Sequence, residues 1–525
     1  MSNRAHRVWK FPGGLRLPPH KSASTAEPVA TAEPPAVAVL PLSQHAGAAS
    51  VPIVAAGRRV LAGEPVARAN DGISAPLHAP TSGTILAIED RQVPRPGGPV
   101  EPCVILEADG RDQRYEGYEP VDDPQALAPA EIRRLVHEAG IVGLGGAVFP
   151  AAVKLEAGDR QPLDTLILNG AECEPYISCD DMLMRERAAH VVHGAQIMLH
   201  ALSARCCLVA VEHDKPEAIA ALKAAVRESG DDRFEVVSVT TAYPAGGERQ
   251  LIQVLSGREV PAGGLPPDIG YMTQNVGTAA AVSDRFRHGR PLISRVVTVA
   301  GGGVASPRNF DARLGTPFAA LIAAAGGYTD EAARLVMGGP MMGFALPDDA
   351  LPVVKATNCI WVAGAADLRR TDDEMPCIRC AECARVCPAV LLPQQLYWYT
   401  RARDFEKVVD YAVFDCIECG CCDLVCPSHI PLVSYFRYAK NEIRGRDVQR
   451  ERAARAQRRH AERNRRLAQR DAEQQAALDE HTRAAQRARA QPREAAGAID
   501  DIMRRAAGHE PPAGRPAGGG DAKDD

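Results

Sequence analysis

Two stretches of this chain place cysteines at the spacing that holds iron-sulfur clusters. Residues 377–388 read CIRCAECARVCP and residues 416–427 read CIECGCCDLVCP, and both fit the pattern C-x2-C-x2-C-x3-C-P. This spacing directs three thiolates to one [4Fe-4S] cluster and sends the fourth to a neighbouring cluster. The predicted ligands are Cys377, Cys380, Cys383 and Cys426 for the first cluster, and Cys416, Cys419, Cys422 and Cys387 for the second.

A pair of zinc sites is the alternative, because C-x2-C pairs also build zinc ribbons. Zinc does not account for the third cysteine, the fourth cysteine and the proline that recur in both stretches. Cys421 would break the match between the stretches if it replaced Cys422, so we predict that it is not a ligand. The remaining six cysteines are Cys103, Cys173, Cys179, Cys206, Cys207 and Cys359. Most of these six are interpreted as small buried apolar residues.

Length and composition limit the class of protein. A chain of 525 residues predicts three or more domains, and its net charge of -5 gives no reason to expect nucleic acid as a partner. No apolar run approaches the roughly 18–20 residues that cross a bilayer, and the N-terminus lacks the apolar segment of a secretory signal. We therefore expect a cytoplasmic chain with reduced thiols, which reaches a membrane only through partners or surface adsorption.

Helical and strand patterns alternate over residues 129–290. They include PAEIRRLVHEAG, TLILNG, CCLVAVEH, KPEAIAALKAAVRESG and FEVVSVT. Such alternation predicts a parallel α/β sheet with a ligand site at the carboxyl ends of its strands.

Two segments within this region place candidate binding residues. The loop GLGGAVFP, at 143–150, is able to bring backbone N–H groups close to a phosphate, with Lys154 following; a plain glycine-rich turn is the alternative. The segment NGAECEPYISCDD puts Asn169, Glu172 and Glu174 where a strand ends, and a polar loop without a ligand is the alternative.

Several longer motifs carry a family resemblance. GLGGAVFPAAVKL, LILNGAECEPYISCDDMLM, YPAGGERQLI, NVGTAAAV and GGPMMGFAL, followed by the paired cysteine stretches, resemble the RnfC family, the C subunits of Rnf (Rsx) ion-translocating electron transport complexes. The match runs from KFPGGLRLPPHKSAS to about residue 440. That family is similar to the NADH- and FMN-binding subunit of respiratory complex I.

The resemblance implies roles for individual residues. The FMN contacts that it implies are Gly143, Gly145, Gly146, Lys154, Asn169, Asn275 and Thr278. It also implies that Glu172 and Glu174 face the flavin or the nicotinamide as catalytic residues, with NADH as substrate.

The flanking regions also have recognisable patterns. Residues 57–90 resemble the barrel-sandwich fold of lipoyl and biotinyl carriers, but no lysine occurs between Ser22 and Val153, so we expect an unmodified scaffold or docking domain. SRVVTVAGGGV predicts a strand and turn, and LGTPFAALIAAAGG predicts a helix with Thr316 as N-cap and Pro317 as first residue. By resemblance this region is an SLBB β-grasp domain.

The C-terminal tail is rich in Arg, Ala, Gln and Glu and has almost no aromatic residues, so it cannot bury a core of its own. We expect a solvated, partly helical and finally disordered segment. Binding of its Arg-rich first half to a partner or to anionic lipid is the alternative.

The predicted fold class is multidomain α/β. The predicted domains are an N-terminal segment (1–35), a β-rich barrel-sandwich hybrid (36–112), an FMN- and NADH-binding α/β domain (125–290), an SLBB β-grasp domain (291–365), a helical ferredoxin-like domain for two [4Fe-4S] clusters (366–440) and the charged tail (441–525).

The resemblance implies an electron-input subunit that passes electrons from NADH through FMN and two [4Fe-4S] clusters to membrane subunits. The implied enzyme is an NADH:ferredoxin-type translocase, peripheral on the cytoplasmic side of the inner membrane. Its implied partners are integral membrane and flavoprotein subunits and, through the complex, ferredoxin-type carriers. The alternatives are an iron-sulfur relay and docking subunit without flavin, and a soluble flavin dehydrogenase with its own substrate.

Overall fold

The computed structural model describes residues 6–368, 373–490 and 496–507. The described residues up to Asn441 belong to one compact unit, and the described residues from Glu442 belong to a second. Among the described helices, none combines the length and apolarity needed to cross a membrane. The final stretch of the tail, 508–525, which we predicted to be disordered, lies outside the described residues.

The first module is β-rich, as predicted, and consists of two small antiparallel sheets. Its strands are β1 (Ala30–Thr31), β2 (Val37–Pro41), β3 (Val51–Pro52), β4 (Arg59–Val60), β5 (Pro65–Arg68), β6 (Leu77–His78), β7 (Gly83–Gln92) and β8 (Val100–Ala108). The sheets have the orders β2-β8-β7-β4 and β3-β5-β6, and β1 joins a later sheet. Ala38 pairs with Leu106 and Leu40 with Val104, and all four side chains are buried, so alternate residues of these strands build the core.

The second module is the predicted α/β domain. Its elements are α1 (Pro129–Glu138), α2 (Ala151–Leu155), α3 (Ala157–Arg160), β9 (Thr165–Gly170), α4 (Cys179–Glu186), α5 (Ala188–Leu202), β10 (Cys206–Glu212), α6 (Pro216–Ser229), β11 (Phe234–Val239), α7 (Glu248–Ser256), β12 (Tyr271–Asn275) and α8 (Val276–His288). Helix α6 has Pro216 at its first position and ends at Gly230, which takes the left-handed conformation that glycine tolerates.

The sheet of this module creates the site. All its pairings are parallel and its order is β11-β10-β9-β12, so the chain changes direction across the sheet between β9 and β12. Ligands of open parallel sheets bind outside the carboxyl ends of the strands at such a switch point. Asn169, near the end of β9, is the register partner of Asn275, the last residue of β12, so two side chains predicted from separate motifs lie side by side.

The third module contains a mixed six-stranded sheet of order β1-β14-β13-β17-β15-β16. Its elements are β13 (Ser294–Ala300), β14 (Arg308–Arg313), α9 (Phe318–Ala324), β15 (Ala332–Met337), β16 (Phe344–Ala345) and β17 (Cys359–Gly364). The predicted helix start was wrong by one residue, because Pro317 is the N-cap. Thr316 and Pro317 pair with the segment around Pro352, which holds them extended and delays the helix.

The cysteine stretches lie in a helical module, as predicted. Its helices are α10 (Glu382–Arg385), α11 (Pro393–Arg401), α12 (Phe405–Asp410), α13 (Cys421–Leu424) and the start of α14 (Leu432–Ala490). Each cysteine stretch contains one turn of helix, α10 or α13, so the repeat in sequence is also a repeat in structure.

The described part of the tail is helical, with α14 running to Ala490 and α15 spanning Ala496–Ala506. Every residue from 444 to 490 is exposed. These residues therefore contribute no buried apolar surface to a core.

A chain that ends at Gly445 is expected to retain both clusters and the melting temperature of the full chain. Removing exposed residues costs the remaining core no apolar burial. Iron content and thermal unfolding of the anaerobically purified truncation measure this. A clear fall in either value would contradict the prediction.

Lys355 joins the first three modules. Its side chain is fully buried, and Nζ donates to the carbonyl oxygens of Pro76, at 3.0 Å, and Gly140, at 2.7 Å. Burial lowers the pKa of Lys355 to about 7. Burial, together with this same ammonium, holds the pKa of His78 at about 3. The contact that Lys355 makes between the modules therefore depends on the charge of its ammonium.

Lys355→Met is expected to alter how stability depends on pH. In the wild type the folded-state pKa lies below the unfolded one, so the penalty for burying the ammonium is complete below about pH 7 and fades as pH rises toward about 10. The wild type should gain about 2 kcal/mol relative to the variant between pH 7 and pH 9. Melting temperatures of both proteins at the two pH values test this, and a constant difference would contradict it.

Candidate functional site

A cavity of about 800 Å³ lies at the carboxyl ends of β9 and β12. The α/β module supplies most of its wall. Arg95 of the barrel-sandwich module, Met342 of the β-grasp module and Ile417 of the second cysteine stretch also line it. The volume falls in the range of cofactor sites, and four modules must meet to close it.

The glycine loop forms one side of the cavity. The N–H of Gly143 donates to the carbonyl of Phe149 at 2.8 Å, which closes the loop. Gly146 has φ +105°, and a Cβ built on it would meet nothing within 4 Å. A Cβ on Gly145 would lie 3.4 Å from the side chain of Asn275. The loop therefore presents bare backbone toward open space, as a phosphate cradle requires.

The backbone of Leu144, which lies between these glycines, is fixed by two side chains. Its N–H donates to Oγ1 of Thr278 at 2.9 Å, and its carbonyl accepts from Nη2 of Arg295 at 3.2 Å. Thr278 is fully buried and does not line the cavity, so its position is that of a support for the loop. Arg295, which sequence reasoning missed, lies beyond the α/β domain on β13 and carries no local motif.

Lys154 lines the cavity, but its ammonium already has partners. Nζ donates to Oε1 of Glu248 at 2.8 Å and to the carbonyl of Thr273 at 3.1 Å. An anion in the cavity would have to share this lysine with Glu248.

The two asparagines are fixed by their own hydrogen bonds. Asn169 Nδ2 donates to the carbonyl of Gly246 at 2.8 Å. Asn275 is the N-cap of α8: its Oδ1 accepts from the N–H of Gly277 at 2.8 Å, while Nδ2 donates to Oδ2 of Asp180 at 2.7 Å. Both side chains therefore have defined positions on the cavity wall.

Glu172 is buried and its carboxylate accepts N–H groups at the start of α4. It accepts from Asp180 at 2.9 Å and from Asp181 at 3.3 Å, and Nζ of Lys21 lies 3.8 Å away. The carboxylate of Glu172 is therefore already bonded to the N-terminus of α4. Next to it, burial and the charge of Glu172 raise the pKa of Asp180 to about 7.

Glu174 is held by the β-grasp module. Its Oε1 accepts from the N–H groups of Met341, at 2.7 Å, and Met342, at 3.0 Å. Burial raises the pKa of Glu174, while these two amides lower it. Glu174 and Glu172 both line the large cavity, but Glu174 is fixed by the β-grasp module and Glu172 by the start of α4.

The glycine loop and the size of the cavity fit a flavin mononucleotide. The backbone at Gly146 leaves open space for a phosphate, and Lys154 lies on the same wall. The cavity volume of about 800 Å³ is in the range of sites that hold a cofactor.

Sequence reasoning missed most of the residues that complete this wall. Asp180 lies at the end of the quoted strand-end motif, and its acidic type was a usable signal. Arg95, Met342 and Ile417 come from other modules, and no local pattern links them to the cavity.

The cysteines of the two stretches surround two smaller cavities. Each cavity combines cysteines of one stretch with the last-position cysteine of the other. The first is lined by Cys377, Cys380, Cys383 and Cys426, and the second by five cysteines, Cys387, Cys416, Cys419, Cys421 and Cys422. Four thiols are enough to hold a [4Fe-4S] cluster.

Cys421 and Cys422 both line the second cavity, so position alone does not separate them. Cys421 also packs in an apolar cluster with Tyr243 and Cys419. The prediction that Cys422 is the ligand continues to rest on the match between the two stretches. Of the other six cysteines, Cys173 and Cys206 are partly exposed and the remaining four are buried.

The second cysteine cavity adjoins the large cavity. Ile417 lines both, and Tyr243, on the wall of the large cavity, donates its hydroxyl to the carbonyl of Cys419 at 2.6 Å. Tyr243 also pairs with Leu15, and the neighbouring Gly14 donates its N–H to the carbonyl of Val386. The N-terminal segment thus contacts both the first cysteine stretch and Tyr243 on the wall of the large cavity.

Comparisons with known proteins identify the modules of the chain. Four family models match: the RnfC barrel sandwich hybrid domain over residues 9–111, the Nuo51 FMN-binding domain over 136–284, the SLBB domain over 296–345 and the 4Fe-4S dicluster domain over 370–452. They confirm the predicted fold class and identify the cofactor types of the two domains as FMN and iron-sulfur clusters.

A solved structure titled as an NAD+-reducing [NiFe]-hydrogenase in the H2-reduced state matches with a TM-score of 0.43 and 20% identity. The match covers 58% of this chain and 61% of that one.

Curated relatives match most of the chain. The C subunit of the ion-translocating oxidoreductase complex of Pseudomonas aeruginosa is 46% identical over 467 residues, which are 89% of this chain and 60% of the relative. The Vibrio cholerae protein of the same name is 43% identical, with 90% and 60% covered. The chain thus spans about three fifths of these two relatives. The Serratia proteamaculans protein is 44% identical, with 91% of this chain and 67% of the relative covered. At this identity and coverage, the chain belongs to the RnfC family, the C subunits of ion-translocating oxidoreductase complexes.

Proposed function

We propose that this chain is the electron-input subunit of a membrane-bound, ion-translocating NADH:ferredoxin oxidoreductase complex. The observation that carries the proposal is the shared wall between the cavity that fits a flavin and the second cysteine cavity, at Ile417. A bound flavin supplies the conversion of a two-electron hydride into single electrons, which iron-sulfur clusters carry one at a time. A site for each kind of carrier in direct contact is the arrangement that this conversion needs.

The flavin contacts that we propose follow the geometry of the wall. The glycine loop, with Gly143, Gly145 and Gly146, approaches the phosphate, and Lys154 contributes charge from beside Glu248. Asn169 and Asn275 present fixed amides at the strand ends. Thr278 acts indirectly, by holding the loop through Leu144.

The two glutamates receive different roles. Glu174 lines the cavity with one oxygen fixed by two amides, and we propose that it orients the nicotinamide. Glu172 is occupied by the N–H groups of α4, so it positions the helix that carries Asp180. Asp180 in turn holds Asn275.

We also propose an order for the two cysteine sets. The set of Cys416, Cys419, Cys422 and Cys387 lies next to the flavin cavity, and we propose it as the ligand set of the proximal cluster. The other set faces outward, because Cys380 is exposed and Ile378, on the same cavity wall, is 67% exposed. We propose that electrons leave the chain there, toward a partner subunit.

Partners and location complete the proposal. The partners are integral membrane and flavoprotein subunits and, through the complex, ferredoxin-type carriers. We propose peripheral attachment to the cytoplasmic side of the inner membrane. The exposed tail helix is a candidate for contact with a partner or with anionic lipid.

Reconstitution with FMN tests the proposal. The anaerobically purified chain with both clusters is expected to bind FMN and to reduce a dye with NADH. Glu174→Gln should keep FMN, because it keeps an oxygen for the two amides, and should slow flavin bleaching by NADH about 10- to 100-fold through poorer orientation. Glu228→Gln, on the exposed surface of α6, is the matched control and should behave as wild type.

Each rival function predicts a different result. Intact clusters without FMN binding would favour the relay and docking subunit. Full activity with a diffusible substrate, in a chain that does not co-purify with membrane proteins, would favour a soluble dehydrogenase.

A further inference from the structure

Two helices of the α/β module bring two histidines and an aspartate together outside the flavin cavity. His190 lies on α5, and Asp284 and His288 lie on α8. His190 Nδ1 is 3.0 Å from Asp284 Oδ1, and one potential ligand atom from each of the three residues lies within 4.8 Å of the others. Asp284 and His288 are four residues apart, so they share one helix face.

The framework that carries these side chains is rigid. Helices α5 and α8 pack so closely that a Cβ on Gly194 would lie 1.8 Å from the carbonyl of Ala279. Both helices are largely buried on their shared side. The three side chains are themselves half-buried, so their positions relative to one another are set by the helix pair rather than by a loop.

The ligand types select a chemical class of metal. Two imidazole nitrogens and one carboxylate oxygen suit zinc and similar divalent transition metals, whereas magnesium and calcium prefer oxygen alone. Zinc binds such atoms at about 2.0–2.2 Å, which places tetrahedral ligand atoms about 3.3 Å apart. The three atoms lie within 4.8 Å of one another, so binding would draw them closer together. The partly exposed surface leaves a fourth position for water.

Charged residues surround the three side chains. Arg287 and Arg290 act on His288 and would repel a dication, so the carboxylate of Asp284 is needed to offset them.

We propose that His190, Asp284 and His288 form a binding site for a divalent transition metal of the zinc class, separate from the iron-sulfur clusters. The metal would fasten the C-terminal end of α8 to α5. The N-cap of α8 is Asn275, on the wall of the flavin cavity, so the site stabilises the helix whose other end meets the flavin. The inference does not depend on the proposed electron transfer.

Zinc retention by the full chain tests the site. The chain, purified anaerobically with both clusters intact, is incubated with one equivalent of Zn²⁺ and then desalted. We expect about one retained zinc with nitrogen and oxygen neighbours at about 2.0–2.1 Å by X-ray absorption. We also expect a higher melting temperature than without zinc.

Three variants provide the comparison. His190→Ala combined with His288→Ala should weaken zinc binding by about 100-fold or more, since even outer-shell partners of a metal account for 10- to 100-fold. Asp284→Asn should weaken it with less disturbance of packing. His200→Gln, on α5 but bonded to the carbonyl of Leu127, should bind zinc as the wild type does.

Three results would overturn the site: no zinc retained by the wild type, sulfur neighbours at about 2.3 Å, or equal binding by the wild type and Asp284→Asn. Iron content and melting temperature without zinc establish that each variant is folded. If the double variant fails to fold, the comparison of zinc binding between the wild type and Asp284→Asn tests the site by itself.

Discussion

We expect Cys387→Ala to remove the cluster of the opposite cysteine stretch. Cys387 belongs to the first stretch in sequence, but it lines the cavity of Cys416, Cys419 and Cys422. With three thiolates left, that cluster should be lost or reduced to a three-iron form, and iron should fall from about eight to between four and seven per chain. Low-temperature EPR of the reduced variant should lose one of two signals. Cys426→Ala should have the reciprocal effect on the other signal.

Cys421→Ala is the matched control, because this buried cysteine lines the same cavity and is predicted not to be a ligand. It should keep both EPR signals and the full iron content. Loss of a signal in Cys421→Ala, with Cys422→Ala intact, would exchange the roles of these two cysteines. If Cys387→Ala instead removed the signal that Cys377→Ala removes, the crossed ligation would be wrong.

Gly146→Val should abolish FMN retention while both clusters assemble normally. Gly146 has φ +105° and faces open space in the cavity, so valine adds backbone strain of about 1–3 kcal/mol and a branched side chain in the phosphate cradle. FMN affinity should fall by about 100-fold or more, and adding Lys154→Ala should deepen the loss. Flavin fluorescence after denaturation measures retention, and iron content reports the clusters.

Gly230→Val separates strain from obstruction. Gly230 also has positive φ, at +65°, and open space around its Cβ, but it ends α6 outside the cavity. This control should retain FMN. Equal loss of FMN in both variants would mean that backbone strain is responsible, and normal retention in Gly146→Val would show that the loop is not the cradle.

Features encoded over short distances were predictable. The apolar run TLILNG is buried on both faces of the sheet as β9, and the alternation around it predicted the parallel sheet. The start of α9 was misplaced by one residue, because the pairing of Pro317 with Pro352, far along the chain, holds the backbone extended.

The sequence by itself determined the two cysteine stretches, the glycine loop and the strand-end carboxylates, because each is a short pattern of adjacent residues. Only the tertiary structure decided how they meet. It placed Ile417 between two cavities, turned Met341 and Met342 toward Glu174, put Lys154 against Glu248 and assigned Thr278 to the back of the loop. These contacts join residues about 90 to 170 positions apart, and no local periodicity records which distant surfaces pack together.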